Sequence, residues 1–394
     1  GCARVEPRQP RVAIVGAGLT GSLAAALLHR ARPELRLELW ERATYPAGRF
    51  GAGLEAGGRW ADLGAQVLSA VDVGSGHPNA GADGHNVHAA DVHGAWAEVR
   101  ALAAEGLLER APDARLGDTE ERMKYEGLWA HHWCPAGLGA LLRRYHAEAG
   151  AEVRFGALAE EVVAATDGGG VVLRGLGPDR RERLEAAADA VVVAVPAPDA
   201  LQLLQGALPE AALEVLRNVE YDRRVAIALA FDGALRAAAE RFFGDAAELT
   251  LDLDWGVPGD GRPRPALHLL AWQDAKRPTA HGDLVAVVAH STVGTGAEEA
   301  ELAALELLST GLGVSQPVIQ ALLRARKVVD WDECQMARPI EGLVTELCVD
   351  GSLAAGRVVV AGDFWTQSSF LGCYCSAASA CRAVCALLAG TQVG

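Results

Sequence analysis

The first organised part of the chain alternates apolar segments with short breaks rich in glycine or proline. Residues 11–15 are mostly aliphatic and predict a buried β-strand, and an Ala- and Leu-rich segment that ends near Arg30 predicts a helix. A second strand is predicted at 35–40, beyond Pro33, and Glu41 follows it. The order is therefore strand, glycine-rich turn, helix and strand, with an acidic residue at the end.

The glycines between the first strand and the first helix have the spacing of a dinucleotide-binding turn. Gly16 permits a sharp turn, Gly18 lets the backbone approach a pyrophosphate, and Gly21 lets the helix lie close to the strand. The helix N-terminus offers free N–H groups to phosphates. Glu41, twenty positions after Gly21, is placed to accept hydrogen bonds from ribose hydroxyls. The pattern predicts a Rossmann-type βαβ unit; the alternative is a fortuitous glycine-rich turn.

The remaining hydrophobic pattern predicts a mixed α/β protein. Apolar strands that end at proline or at Gly-Asp are typical of buried parallel sheet, and short strands between 151 and 174 predict a small antiparallel meander. Further strands are predicted at 188–195, 224–231, 267–272, 284–290 and 357–361, and helices at about 92–108, 137–150, 296–312 and 372–388.

Chain length and net charge indicate how many domains to expect and which partners are unfavourable. At 394 residues the chain is long enough for two domains. Lys plus Arg number 36 against 51 for Asp plus Glu, which gives a formal net charge of -15. Such a field repels phosphate polymers, so nucleic acid and anionic membrane surfaces are poor partners. Apolar runs are interrupted well before the roughly 20 residues that a bilayer crossing requires, so no membrane span is expected.

The cysteines and histidines do not predict a metal site. Four of the eight cysteines crowd into the last predicted helix, at spacings that match no common zinc or haem pattern. We interpret them as small buried thiols, which fits a reducing compartment. Four histidines between 71 and 95 are irregularly spaced, so we expect a solvated loop there. These residues are His77, His85, His88 and His93.

Two motifs shortly after Glu41 add groups suited to the same nucleotide. Arg42 is followed by the pair Gly48-Arg49, which can present backbone N–H groups and a guanidinium to a pyrophosphate. The segment 61–66, Ala-Asp-Leu-Gly-Ala-Gln, then offers an acid, a glycine for close approach and the amide of Gln66.

A third motif lies near the C-terminus. Gly362 and Asp363 follow the strand predicted at 357–361, and ligands bind α/β sheets at such strand ends. Asp363 is placed to accept hydrogen bonds from a ribityl chain. The helix from Gly372 directs its positive end at a flavin ring, where it would stabilise charge on the reduced form.

The order of these motifs resembles the renalase family, flavoproteins with the p-hydroxybenzoate hydroxylase-like fold shared by amine oxidases. The resemblance extends over most of residues 11–389 and is weak at 71–125. It is carried by the segments 15–22 (VGAGLTGS), 61–66 (ADLGAQ), 195–198 (VPAP) and 362–373 (GDFWTQSSFLGC).

The resemblance implies non-covalent FAD and an oxidase activity. Renalases take hydride from the 2-dihydro and 6-dihydro isomers of NAD(P)H and pass the electrons to O2, forming NAD(P)+ and H2O2. The expected partners are therefore a small dihydronicotinamide and O2. The implied cofactor-binding residues are Gly16, Gly18, Thr20, Gly21, Glu41, Arg42, Gly48, Arg49, Gln66, Val162, Gly362, Asp363 and Gln367.

The resemblance also places Tyr221, His290 and Trp331 at the substrate, where the family has aromatic residues or histidine; the alternative is that all three are structural. The chain departs from the family at Ala47, where a glycine is usual. It departs again at 332–333, where Asp-Glu replaces a basic residue and is expected to disfavour substrate phosphates.

The expected domains are a discontinuous FAD-binding domain of Rossmann type and a smaller β-sheet substrate domain, in a monomer. The first comprises 10–75, 130–215 and 325–394, and the second comprises 76–129 and 216–324. The compartment stays open, because the family resemblance implies secretion whereas the cysteines and the absence of a visible signal peptide favour the cytoplasm.

Three alternatives remain. An amine oxidase of the same fold would require an aromatic cage and often a covalent cysteine, and Cys373 does not occupy the attachment position of that class. A secreted, non-catalytic signalling ligand is the second. An NAD-dependent dehydrogenase is weaker, because no second nucleotide fold is predicted.

Overall fold

The architecture was derived from a computed structural model. It describes residues 8–46, 48–56, 59–73, 88–116, 129–165, 169–251, 265–277, 283–337, 348–349 and 352–390.

These segments form strands and helices that alternate along the chain. The strands are β1 (Arg11–Val15), β2 (Arg36–Glu41), β3 (Gly53–Ala56), β4 (Arg59–Asp62), β5 (Leu68–Val71), β6 (Glu109–Arg110), β7 (Trp129–Trp133), β8 (Glu152–Phe155), β9 (Leu158–Ala164), β10 (Val171–Leu176), β11 (Arg183–Ala188), β12 (Ala190–Val193), β13 (Tyr221–Asp232), β14 (Glu248–Thr250), β15 (Leu267–Trp272), β16 (Leu284–Ser291), β17 (Leu323–Met336), β18 (Cys348–Val349), β19 (Ser352–Ala355) and β20 (Val358–Ala361). The helices are α1 (Leu19–Ala31), α2 (Gly48–Gly51), α3 (Ala89–Ala104), α4 (Gly139–Ala149), α5 (Ala197–Leu204), α6 (Glu210–Arg217), α7 (Arg236–Phe243), α8 (Gln273–Lys276), α9 (Ala297–Leu312), α10 (Gln316–Leu322) and α11 (Phe370–Gly390).

The largest sheet has seven strands in the order β18-β19-β20-β12-β1-β2-β8. Its centre is parallel, since β1 pairs with both β2 and β12, and β12 pairs with β20. Strands β1, β12 and β20 are almost entirely aliphatic and buried, as expected for a parallel sheet covered on both faces. The carboxyl ends of β1, β2 and β20 therefore meet at one edge.

The second large sheet is antiparallel, with the order β14-β15-β16-β13-β17. One face packs on α7, α9 and α10 through a core that includes Ile227, Leu229 and Val287. The opposite face carries small side chains, among them Ala226 and Ala228, and packs against Ala52, Ala61 and Leu63. A three-stranded meander of β11, β10 and β9 adjoins the parallel sheet.

The predicted elements of the parallel sheet are confirmed. The fold is mixed α/β, and β1, α1, β2, β20 and α11 lie within a few residues of their expected positions. The prediction of a loop over 71–95 is wrong for its last residues, since α3 begins at Ala89 and includes His93. His77 and His85 lie outside the described residues.

Two further features differ from or extend the expectation. Strand β17 was not predicted, and it crosses the expected domain boundary at 325 because it pairs along its length with β13. Helix α11 is apolar and long enough to cross a membrane by composition and length, but most of its apolar stretch is buried inside the molecule. It packs against α1, β20 and α3, as the core helix of a globular fold does.

Candidate cofactor and substrate site

The glycine-rich turn after β1 is built as the sequence predicts. Gly16 has a φ of +95°, and a Cβ there would lie 2.5 Å from the carbonyl oxygen of Ala194. A Cβ on Gly21 would lie 1.9 Å from the oxygen of Gly16, so the helix packs directly on the turn. A Cβ on Gly18 would meet no described atom within 4 Å. The backbone at Gly18 therefore faces open space at the start of α1.

A second glycine turn borders this space. Gly48 has a φ of +77°, and a Cβ added there would lie 3.9 Å from the Cα of Gly18. Behind it, a Cβ on Gly64 would lie 1.6 Å from the carbonyl oxygen of Arg49, which packs the 61–66 motif tightly against the turn. The two turns form a cradle of backbone, which is the geometry that a pyrophosphate requires.

Glu41 lies beside this cradle at the carboxyl end of β2. Its side chain is buried, and its Oε2 accepts a hydrogen bond of 3.0 Å from the N–H of Ala17. Its Oε1 accepts one of 2.8 Å from the N–H of Ala43. The carboxylate is thereby fixed next to the glycine turn, and its remaining lone pairs can accept bonds from ribose hydroxyls.

Arg49 and Asp363, from motifs more than 300 positions apart, form an ion pair. Arg49 Nη2 lies 2.7 Å from Asp363 Oδ1, and Nη1 donates to the backbone oxygen of Cys334 at 2.9 Å. Asp363 Oδ2 accepts a bond of 2.6 Å from Ser368. Burial lowers the pKa of Arg49, but the charge and hydrogen bond of Asp363, together with smaller contributions from Cys373 and Tyr221, raise it overall. The pair holds the guanidinium and the carboxylate at one strand end.

The first turns of α1 and α11 meet at the same place. Thr20 in α1 hydrogen-bonds the thiol of Cys373 in α11. Burial raises the pKa of Cys373 to about 12, although that hydrogen bond acts in the opposite direction. Gly372 is required there, because a Cβ would lie 2.0 Å from the oxygen of Gln367. The start of α11 is thus directed towards the cradle, with Cys373 held as a neutral thiol.

Three other residues predicted to bind the cofactor have their side chains directed away from the glycine cradle. Gln66 turns towards the antiparallel sheet, where its Oε1 accepts bonds from Gln273 and Lys276 at 2.7 and 2.8 Å. Val162 on β9 is fully buried in the core around the end of β2. Arg42 is exposed and pairs with Asp199 at 3.0 Å.

The antiparallel sheet presents one row of side chains towards the cofactor half. His290 of β16 lies opposite Ala226 of β13, and Ala226 lies opposite Val329 of β17. Arg224 and Trp331 form the next facing pair. Directly opposite residues of an antiparallel pair share a face, as do positions two apart on one strand. His290, Arg224 and Trp331 therefore share the face that packs against Ala52, Ala61 and Leu63.

His290 connects this face to the 61–66 motif. Its Nε2 lies 2.7 Å from the backbone oxygen of Leu63. A carbonyl oxygen only accepts, so Nε2 carries the proton and Nδ1 is the acceptor of the neutral ring. Burial lowers the pKa of His290 to about 4. The imidazole is uncharged at neutral pH.

Tyr221 begins β13 at the junction with the parallel sheet. Its hydroxyl oxygen accepts a bond of 3.1 Å from the N–H of Ala197, and its ring packs on the core of the cofactor half. Burial raises its pKa, so the phenol stays protonated. Arg49 and Asp363 lie within electrostatic range of the hydroxyl. Tyr221 thus lies nearer the cofactor half than His290 does.

A buried charged network beneath His290 was not predicted. Lys276 Nζ lies 3.0 Å from Glu248 Oε1, and both side chains are at most 3% exposed. Burial lowers the pKa of Lys276, although Glu248 acts in the opposite direction. Arg277 forms an ion pair with Asp62 of the 61–66 motif. Arg224 was also missed, since the adjacent pair Arg223-Arg224 at the polar start of β13 does not reveal in the sequence which side chain faces the site.

This combination of a parallel sheet, a glycine cradle and an adjoining antiparallel sheet is the architecture of a flavin-dependent oxidoreductase. The chain belongs to the flavin-containing amine oxidoreductase family, whose model matches residues 103–385. A model of NAD(P)-binding Rossmann-like domains matches residues 14–78.

A solved structure has the same fold. A crystal structure from Exiguobacterium sp. 255-15, of a protein provisionally named protoporphyrinogen oxidase, superposes with a TM-score of 0.60 at 14% identity. The match covers 96% of this chain and 99% of that one.

The cofactor is FAD, as predicted. The cradle formed by Gly18 and Gly48 has the space that a pyrophosphate needs, and Glu41 is fixed beside it. Asp363 pairs with Arg49 near this cradle, and its role at the ribityl chain stays a prediction.

Proposed function

We propose that this protein is a flavin oxidase of the renalase type, which oxidises the 2-dihydro and 6-dihydro isomers of NAD(P)H to NAD(P)+ and reduces O2 to H2O2. Its partners would be the dihydronicotinamide and O2. When bound, FAD supplies the hydride acceptor and the route of electrons to O2.

The observation that carries the proposal is that neither titratable side chain predicted for the substrate is a ready base. His290 is neutral, with a pKa lowered to about 4 by burial, and its Nε2–H is donated to Leu63. The Tyr221 hydroxyl is protonated and accepts from a backbone N–H. A dihydronicotinamide needs no base, because loss of hydride alone restores its aromatic ring. A protonated amine must first lose a proton, for which these two groups are poorly suited.

The two rings on the sheet face also suit a flat substrate. Ala226 and Ala228 are buried against Ala52, Ala61 and Leu63, whereas Trp331 lies on the edge strand β17. His290 and Trp331 would bound a planar substrate, so their task would be orientation at near-attack distance.

The acidic pair after Trp331 is a smaller obstacle to phosphates than the sequence suggested. Asp332 lies 3.3 Å from Arg223, which also pairs with Asp330. Because Asp330 and Asp332 share this partner, both lie on the face opposite to Trp331. Glu333 remains near the site, within electrostatic range of Tyr221.

An amine oxidase is the second candidate, since the family is named for that chemistry. Arg224 beside Trp331 argues against it, because a guanidinium repels a cationic amine. Trp331 is the one aromatic side chain that the described strand pairings place on this row, whereas an amine cage uses several.

The test is a substrate comparison with the purified holoenzyme. Peroxide release is measured with the 2-dihydro and 6-dihydro isomers of NAD, with ordinary 4-dihydro NADH as the matched control, and with primary and secondary amines. The proposal expects peroxide and stoichiometric NAD+ from the two isomers and little from NADH or amines. Peroxide from amines alone would establish the amine oxidase instead.

A further inference from the structure

We infer that Arg224 is an anion-binding residue of the substrate site, which holds a phosphate oxygen of the dinucleotide and so determines specificity for phosphorylated substrates. The inference rests on the proposed function and extends it to a residue that sequence motifs did not indicate.

The first argument is the position of the side chain. Arg224 is on the row that faces the cofactor half, directly opposite Trp331. It lies within electrostatic range of His290 on one side and of Cys334 on the other. Cys334 in turn accepts a hydrogen bond from Arg49 through its backbone oxygen. Arg224 and Arg49 thus both lie near Cys334, which connects the substrate face to the Arg49–Asp363 pair.

The second argument is its incomplete set of partners. The Nε of Arg224 is buried and has no hydrogen-bond partner among the described residues. Within the described part of the chain its carboxylate partner is Asp222, with Nη2 to Oδ2 at 3.8 Å, which is too long for a hydrogen bond. The side chain is 21% exposed. A buried donor without a partner is costly, and a phosphate oxygen would satisfy it in the planar geometry that arginine favours.

The third argument is the contrast with the neighbouring arginine. Arg223 points to the other face, where Nη2 lies 2.5 Å from Asp330 and Nε lies 3.3 Å from Asp332. Its charge is fully matched by these two carboxylates, and its side chain is 57% exposed. The two residues have the same chemistry, yet Arg224 alone retains donor capacity towards the cofactor half. Arg223 is therefore a matched control.

The experiment compares three 6-dihydro substrates that differ in phosphate content: those of NAD, nicotinamide mononucleotide and nicotinamide riboside. For Arg224→Gln, we expect KM to rise about 10-fold or more for the two phosphorylated substrates, as for loss of a charge-assisted hydrogen bond. KM for the riboside and kcat for all three should be unchanged. Arg223→Gln should behave as wild type, and Arg224→Lys should recover part of the loss. An equal loss for riboside and nucleotides would overturn the inference.

A binding measurement separates this inference from the proposed activity. Inorganic pyrophosphate is titrated into each FAD-loaded protein, and the change in Tm is recorded. Pyrophosphate should raise the Tm of wild type and Arg223→Gln but not of Arg224→Gln. If wild type oxidises no dihydronicotinamide but shows this pattern, the proposed function fails and the anion site stands. If the isomers are oxidised and Arg224→Gln changes neither KM nor pyrophosphate binding, the anion site fails alone.

Discussion

His290 donates a hydrogen bond from Nε2 to the backbone oxygen of Leu63, 2.7 Å away. The two residues belong to different halves of the molecule, one to the antiparallel sheet and the other to the motif that packs against the Gly48 turn. The bond fixes both the tautomer and the direction of the imidazole, so a substrate would meet a preorganised neutral ring.

This bond gives the first prediction. His290→Ala should slow flavin reduction by about 10- to 100-fold, because a small misplacement of the reacting ring strongly lowers the rate of hydride transfer. His290→Gln keeps a donor for Leu63 and should retain more activity. The measurement is anaerobic stopped-flow reduction, with FAD content determined in parallel. Unchanged reduction kinetics in the alanine variant would assign His290 a structural role only.

Glu41 gives the second prediction. Glu41→Ala should raise the dissociation constant of FAD about 10- to 100-fold, since hydrogen bonds to a charged group contribute roughly 1.5–3 kcal/mol. Glu38→Ala is the control: it lies on the same strand, but its carboxylate bonds the Trp40 indole and Arg154. Equilibrium dialysis of FAD checks both. Full retention of flavin by Glu41→Ala would overturn the ribose assignment.

The Arg49–Asp363 pair gives the third prediction. Asp363→Leu should lower the free energy of unfolding by about 1–3 kcal/mol, because it leaves a largely buried guanidinium without its partner. The double variant Arg49→Met/Asp363→Leu should recover part of this stability but not FAD binding. Urea unfolding of the apoprotein and flavin content separate the two effects. Recovery of both in the double variant would show that neither charge contacts the cofactor.

Buried histidines give the fourth prediction. Burial lowers the pKa of His132, His146 and His290 to about 4, below the ordinary value of 6.5. The unfolded chain therefore binds more protons than the folded one between pH 6.5 and 4, so stability falls as the pH is lowered through this window. Allowing for solvent screening, each histidine accounts for a loss of roughly 1–2 kcal/mol in the free energy of unfolding over this pH window.

Urea unfolding at pH 7, 6 and 5 tests this sign, because carboxylates with lowered pKa values remain ionised over that range. The midpoint should fall at each step. A midpoint that is constant or rises towards pH 5 would contradict the buried, neutral assignment of these rings.

The sequence predicted the parts of the fold whose local pattern agrees with their tertiary role. The strands β1 and β20 are aliphatic runs ended by glycine, and that pattern is typical of buried strands in a parallel sheet. Strand β17 was missed because charged and apolar residues follow one another irregularly from Leu323 to Met336, as fits its half-exposed position at a sheet edge. Helices α5 and α6 are only eight residues each, too short for a clear period.

The candidate site was predictable where a motif requires a backbone shape. Gly16, Gly48 and Asp363 carry signals that do not depend on distant partners. Arg224 and Lys276 carry none, because their importance arises from strand register and from burial against residues far away in the chain.

The most direct test of the central claim is an anaerobic titration of the purified yellow protein. One equivalent of 6-dihydro-NAD should bleach the long-wavelength flavin band and yield one equivalent of NAD+. Acid precipitation should release FAD into the supernatant, because Cys373 is a neutral thiol that hydrogen-bonds Thr20 and is not expected to link covalently to the flavin. A flavin that a primary amine bleaches and the dihydro isomers leave oxidised would contradict the account.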